Sequence, residues 1–304
     1  MSDAAGLSAE IRELAAERGA VILAHNYQRA EVQDVADFVG DSLGLSRQAA
    51  ATDAGTIVFA GVHFMAETAK ILAPDKTVLL PEPRAGCPMA DMITGPALAS
   101  WRSAHPGVPV VTYVNSSAAV KAESDVCVTS ANAVAVVRAL GAERILFAPD
   151  RNLGSWVARS LPDVDVQLWD GWCPTHDEVT VEQVRAARAE HPDALVMAHP
   201  ECRPPVVDLA DAVLSTSQML VFAAENPAEE FIVVTEAGLL HGLRRAAPDK
   251  RYFELAPGML CPNMKITTLT KVRDCLALGS GEVFVDSEVR PRALLAVERM
   301  VAIG

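Results

Sequence analysis

Three of the six cysteines share a context. Cys87, Cys173 and Cys261 each precede a proline, and seven residues after each stands a threonine: Thr94, Thr180 and Thr268. Thiolates brought together from three places form a trigonal cradle with a fourth position open. That is the arrangement of a catalytic metal site rather than a closed structural one. Thiolates suit zinc and iron–sulfur clusters alike, and spacing cannot choose between them because the ligands form no local motif. Cys127, Cys202 and Cys275 have no counterparts in register and read as ordinary thiols; Cys202 adjoins the proposed site. His176, three residues after Cys173, reads as either a residue reaching the open side or one that does not take part. His63, in "VHFMAET", reads as either a cavity residue or a packed one, while His105, His191 and His241 read as surface or capping residues.

A second set of chemically able residues follows short apolar runs. "AHNYQ" carries His25 and Tyr27, "VVTYVNS" carries Tyr113 and Asn115, and "AHPEC" carries His199 and Glu201. His25, Tyr113 and His199 are separated by 88 and 86 residues, and a hydroxyl lies 17 positions after each: Ser42, Ser130 and Thr216. Five residues before each hydroxyl stands an aspartate, Asp37, Asp125 or Asp211, which reads as structural, ending a helix or bonding local backbone. Hydroxyls and free N–H groups at helix starts bind carboxylate or phosphate; the plainer role for the same residues is N-capping.

What positions these residues is a threefold repeat. "TIVFAG", "RILFAP" and "FIVVTE" recur in order as strand-like runs, and "LAPDKTVLL", "LPDVDVQLW" and "APDKRYFEL" each supply a turn and another strand. Thr94, Thr180 and Thr268 suit N-caps of the helices that follow them, and Thr180 with Gln183 suits a capping box. Each unit reads as strand, helix, strand, helix, strand, with one more helix after the Cys-Pro loop. Alternating strands and helices imply α/β layers on parallel sheets. The expectation is three homologous αβα domains in a pseudo-threefold arrangement around one central site. Residues 1–86 with 262–304 form the first, 87–172 the second and 173–261 the third, and "EVRPRALLAVERMV" is a closing helix packed on the first. In open parallel sheets ligands bind at the carboxyl ends of strands, so the strand-end residues are expected to face one cavity.

Composition narrows the function classes. A net charge of −13 argues against nucleic acid, whose phosphates need clustered Lys and Arg. No apolar run approaches the ~18 residues of a membrane span, and the N-terminal residues have helical periodicity instead of a signal peptide's apolar centre. The expectation is a soluble, cytoplasmic protein in which disulfides are improbable.

"AHNYQ", "DSLGLS", "YVNSSAAVKAESDVCVTSANA", "CPTH", "AHPEC", "STSQM" and "CPNMK" together resemble, across essentially the whole chain and in order, the motifs of the quinolinate synthase family of bacterial NAD biosynthesis. The resemblance implies a transferase that condenses iminoaspartate with dihydroxyacetone phosphate, giving quinolinate, phosphate and water. It implies one [4Fe-4S] cluster per chain on Cys87, Cys173 and Cys261, whose open iron is a Lewis acid. L-aspartate oxidase is the implied supplier of iminoaspartate. Tyr27 and Glu201 fall on the family's acid/base positions. His25, Ser42, Tyr113, Asn115, Ser130, His199, Glu201 and Thr216 fall on its substrate-contacting positions. Some family members carry a C-x-x-C-x-x-C run near the third ligand; here only Cys261 is present, which puts a thiol–disulfide switch in doubt but not the cluster. Two other classes fit the same thiolates, a zinc-dependent lyase or hydrolase and an iron–sulfur sensor, though a sensor needs no ring of His, Tyr, Asn, Glu and hydroxyl groups.

Overall fold

The structure, a computed structural model, describes residues 4–303. The outermost positions of the expected first domain, 1–3 and 304, lie outside the described residues. Among those described, the strands form three parallel sheets of identical order. The first holds β1 (Ala20–His25), β2 (Phe38–Gly40), β3 (Thr56–Ala60) and β4 (Thr77–Leu79), ordered β2-β1-β3-β4. The second holds β5 (Val110–Tyr113), β6 (Val126–Val128), β7 (Arg144–Ala148) and β8 (Asp165–Leu168), ordered β6-β5-β7-β8. The third holds β9 (Leu195–Ala198), β10 (Ala212–Val213), β11 (Glu230–Val234) and β12 (Arg251–Glu254), ordered β10-β9-β11-β12.

Each sheet thus has one strand more than the sequence pattern suggests. The extra strands, β2, β6 and β10, are two or three residues long, too short to display a period of two. The aspartates of the repeat hold them in place. Asp37, Asp125 and Asp211 immediately precede or lead into these edge strands, and their carboxylates accept from the backbone N–H of Ile22, Val110 and Val196 at 2.7, 2.8 and 2.8 Å. Their own N–H groups donate back to the carbonyls of the same three residues. Two-way bonding of one side chain and one peptide pins each short strand where its ladder alone would be weak.

The central strands are buried on both faces, as expected of parallel sheets, and their alternation explains how three sheets become one molecule. Ile22, Ala24 and Val58 face an outer core covered by the helices Ala4–Glu17 and Leu269–Leu278. Val21, Leu23, Ile57 and Phe59 point the other way, into a core shared with Val111, Ile145 and Phe147 of the second sheet and Met197, Phe231 and Val233 of the third. The inner faces of all three sheets therefore pack together.

The helix after each Cys-Pro loop covers the next sheet in sequence. Gly95–Ser103 packs through Leu98 on Val110 and Leu146, and Val181–Glu190 packs through Val184 and Ala187 on Val196 and Ile232. Leu269–Leu278 returns to the first sheet and closes the ring. Thr94, Thr180 and Thr268 are the N-caps of these helices, and Thr180 and Gln183 complete the capping box. The final helix, Arg290–Ala302, lies between the first and second units rather than on the first alone. Arg47 donates to the carbonyl of Val301, Asn132 to those of Met300 and Ile303, and Arg292 pairs with Glu123 at 2.7 Å.

Candidate active site at the centre of three sheets

The carboxyl ends of the strands open into one cavity of about 140 Å³. Every residue expected from the sequence to carry chemistry lines it: His25, Tyr27 and Ser42 from the first unit, Tyr113, Asn115 and Ser130 from the second, His199, Glu201 and Thr216 from the third, and the three Cys-Pro cysteines. His63 does not join them; it begins the helix His63–Leu72 and faces Glu67. Cys127 and Cys275 are core residues, and Cys202 is fully buried with its sulfur toward the carbonyl of Val234.

The hydroxyls of the repeat are not caps. Asp41 and Ser215 are the N-caps, accepting from Gly44 and Gln218, so Ser42 and Thr216 are the first residues inside their helices. Capping by the preceding residue leaves their hydroxyls free for other partners. Thr216 Oγ1 accepts from Asn26 Nδ2 at 2.9 Å, joining the first unit to the third. Ser130 Oγ lies 3.1 Å from His199 Nε2, joining the third to the second. Asn115 Oδ1 is buried with no hydrogen-bond partner among the described residues, and Asn115 and Ser42 both line the cavity.

The two strand-end histidines are held alike. Nδ1 of His25 accepts from the N–H of Tyr27 at 3.1 Å, and Nδ1 of His199 accepts from the N–H of Glu201 at 3.3 Å. An accepting Nδ1 fixes the proton on Nε2. Burial lowers both imidazoles to a pKa of about 3, although Glu201 pulls the other way. They are neutral N–H donors, and the 3.7 Å approach of His199 to Glu201 is not an ion pair.

A chain of hydrogen bonds crosses the cavity. Tyr27 Oη is 2.6 Å from Thr235 Oγ1, which is 2.9 Å from His176 Nε2. His176 Nδ1 is 2.7 Å from Glu201 Oε2, and Tyr113 donates to Glu201 Oε1 at 2.6 Å. Burial alone would raise the Glu201 carboxyl. The hydrogen bonds from His176 and Tyr113 outweigh that and hold it below the usual carboxylate range. Tyr27 and Tyr113 are pushed well above the ordinary phenol value, by burial first and then by the Glu201 charge. The chain therefore runs between two neutral phenols, with an ionised carboxylate next to the Tyr113 end.

Sequence reasoning did not single out Thr235, and it named His176 only through its distance from Cys173. The missed signal is the register of the third strands. Gly61, Pro149 and Thr235 follow β3, β7 and β11 directly, and Val62, Asp150 and Glu236 come next. Glu236, also missed, lines the cavity and accepts from the N–H of Cys261 at 3.1 Å, from that of Gly238 at 2.7 Å, and from Lys265 at 3.0 Å.

The three cysteines begin the turns after the last strand of each unit, with Cys173 and Cys261 as N-caps of four-residue helices that start at proline. Burial raises all three thiols, Cys87 to about 12. Backbone N–H groups oppose the rise: those of Met89 and Ala90 at Cys87, His176 at Cys173, and Met264 and Asn263 at Cys261. Thiols in such surroundings become thiolates when a cation neutralises them. No fourth cysteine lines the cavity, so the donor set fits a group with one position free.

The model of the family described as "Quinolinate synthetase A protein" matches residues 9–302. The chain belongs to the quinolinate synthetase A family. It is 55% identical over 294 residues to the quinolinate synthase of Geobacter metallireducens, covering 97% of this chain and 96% of that one. It is 52% identical over 303 residues to that of Methanoregula boonei, covering 100% of both. It is likewise 52% identical over 299 residues to that of Methanosarcina barkeri, covering 98% of both. As a member of this family the protein is an enzyme, and its similarity to these quinolinate synthases runs the length of the chain. No helix among the described residues is long and apolar enough to cross a membrane.

Proposed function

We propose that this protein is a cytoplasmic quinolinate synthase that condenses iminoaspartate with dihydroxyacetone phosphate, releasing phosphate and water. The observation that carries the reading is the meeting, in one cavity, of three Cys-Pro cysteines from three units with the chain from Tyr27 through Thr235 and His176 to Glu201 and Tyr113. Cys87, Cys173 and Cys261 are the residues that would hold a single [4Fe-4S] cluster. When bound, it supplies a Lewis acid at its open iron for the loss of hydroxyl groups as water.

The chain's own residues account for recognition and proton traffic. Both substrates present carboxylate or phosphate oxygens, which are acceptors. The cavity offers Nε2–H of His25, the amide of Asn115 and the hydroxyls of Ser42, Ser130 and Thr216, while Nε2–H of His199 and the Tyr113 hydroxyl are engaged with Ser130 and Glu201. Asn115 Oδ1, an acceptor, suits an N–H or O–H group of the substrate. Glu201, ionised, accepts a proton from carbon or nitrogen of the substrate at Oε2. Tyr27, neutral, gives one at Oη and recovers it through Thr235. Non-polar walls from Phe64, Met65, Met89 and Met264 exclude water from these transfers. The working domains are residues 1–86 with 262–304, 87–172 and 173–261. The supplier of iminoaspartate is L-aspartate oxidase.

Anaerobic purification followed by iron and sulfide analysis and a quinolinate assay tests the reading. Four iron and four sulfide per chain with quinolinate formed from the two substrates is the expected result. Bound zinc without sulfide, and no quinolinate, overturns it.

A further inference from the structure

One wall of the cavity gathers three different ligand atoms from the third unit. Cys173 Sγ, His176 Nδ1 and a carboxylate oxygen of Glu201 all lie within 4.8 Å of one another. Nδ1 is 3.2 Å from the sulfur and 2.7 Å from Oε2. Cys173 and His176 meet across the first turn of the helix Pro174–Asp177, and Glu201 follows β9. All three line the cavity, so an ion entering it reaches them.

The outer atoms of the same side chains are already engaged. His176 Nε2 bonds Thr235 Oγ1 at 2.9 Å, and Glu201 Oε1 accepts from Tyr113 at 2.6 Å. Hydrogen bonds of this kind are what orient imidazole and carboxylate ligands at metal sites. Nδ1 shares one proton with a carboxylate oxygen 2.7 Å away, and a metal ion taking that proton's place would meet a lone pair from each, with Nε2–H then donating to Thr235. One sulfur, one nitrogen and one oxygen with a position left open is a donor set for a borderline divalent ion. Metal–ligand bonds of about 2.0–2.3 Å set tetrahedral ligand atoms roughly 3.3–3.8 Å apart. The side chains therefore reach that geometry by shifts smaller than ~1 Å.

We propose that Cys173, His176 and Glu201 form a mononuclear site for a divalent metal, zinc or ferrous ion, in the protein when it lacks its cluster. The site goes beyond the function proposed above and rests on it in one respect: Cys173 is also a cluster ligand. The two occupants are alternatives. An ion held here withholds one of three thiolates and turns Glu201 away from proton transfer, so zinc in the cluster-free chain blocks cluster assembly.

The test uses the full-length protein stripped of iron by a chelator without oxygen, with Co²⁺ as the probe. One Co²⁺ per chain is expected, with a thiolate-to-metal charge-transfer band and the visible bands of a four-coordinate ion. X-ray absorption of the wild-type complex should show a single sulfur ligand. Binding should vanish in Cys173→Ala and weaken by about tenfold or more in His176→Ala and Glu201→Gln, and it should persist in Cys87→Ala and Cys261→Ala. Three sulfur ligands, wild-type affinity in His176→Ala, or loss in Cys87→Ala and Cys261→Ala equal to that in Cys173→Ala would each overturn the proposal. The wild-type spectrum decides even if a variant misfolds. One equivalent of Zn²⁺ added first should slow iron and sulfide incorporation, and unchanged incorporation also counts against it. A Co²⁺ pattern as expected in a protein that never takes up iron and sulfide would instead retain this site and remove the cluster.

Discussion

Thr235 gives the sharpest test of the proton path, because it touches both halves while standing outside the cavity lining. Its hydroxyl is 2.6 Å from Tyr27 Oη and 2.9 Å from His176 Nε2, and the side chain is 2% exposed. Thr235→Val keeps the shape and removes the hydroxyl, leaving two buried polar groups without their partner. Each such loss costs about 1–3 kcal/mol, so stability should fall by about 2–6 kcal/mol. Tyr27 and His176 would then be free to turn, and kcat should fall toward the lower end of the ~10²–10⁴ range of acid–base catalysis. KM should change little, since no substrate donor is lost. Thr235→Ser restores both hydrogen bonds and gives up one methyl, for about 1 kcal/mol, so it should recover most of kcat. The assay is quinolinate formation at saturating and limiting substrate, beside thermal melting and iron content. A valine variant with wild-type kcat, or a serine variant as slow as valine with iron intact, refutes the relay.

Three further outcomes follow from the site. Alanine at Cys87, Cys173 or Cys261 should abolish iron uptake and activity, while alanine at Cys127 or Cys275 should keep the iron; equal iron loss in all five would remove the ligand assignment. Tyr27→Phe and Glu201→Gln should each keep fold and cluster and lose ~10²–10⁴ in turnover, and wild-type turnover in either removes that residue from proton transfer. For pH, His25 and His199 titrate at about 3 in the folded chain against 6.5 unfolded, because burial favours the neutral ring. Between those values the unfolded chain binds protons that the folded one refuses. Stability is therefore full above about pH 6.5 and falls as pH drops, by up to ~1.4 kcal/mol per pH unit for each histidine. Denaturant midpoints at pH 7 and pH 5 measure it. The slope should flatten in His25→Gln combined with His199→Gln, and an unchanged midpoint in the wild type counts against neutral, buried rings.

The fold and the cavity lining were legible because the repeat gave position as well as type. A histidine alone says little; His25 and His199 in register with Tyr113, each after a buried apolar run, specify three strand ends that must converge. Two things escaped. The edge strands β2, β6 and β10 carry too few residues to show a period, although the aspartates that pin them, Asp37, Asp125 and Asp211, were visible in register. Thr235 and Glu236 escaped because their counterparts differ: a glycine and a proline match the threonine, a valine and an aspartate the glutamate. Repeat reasoning finds what the units kept in common. The pair that completes the proton chain and anchors Cys261 is what one unit acquired alone.

That division has a physical cause. A substrate without threefold symmetry cannot be held or protonated by three equal sites, so the shared positions must supply what is needed several times and the divergent ones what is needed once. Thiols and hydroxyls recur in every unit: Cys87, Cys173, Cys261 and Ser42, Ser130, Thr216. The lone ionised carboxylate among the three strand ends is Glu201, whose counterparts two residues past the strand-end position are Tyr27 and Asn115. A second carboxylate in either place would stand inside the same buried cavity, and like charges in low dielectric force one of a pair to stay protonated. Tyr27 avoids this while still carrying a proton to give. Replacing Asn115 by Asp should therefore impair the enzyme more than replacing it by Ala. The new charge would share the cavity with Glu201, repel anionic substrates and push one carboxyl upward. Measured KM values for the two variants decide it: a KM for Asn115→Asp no higher than that for Asn115→Ala would mean the site tolerates a second charge, and the account of why only one unit bears the carboxylate would fall.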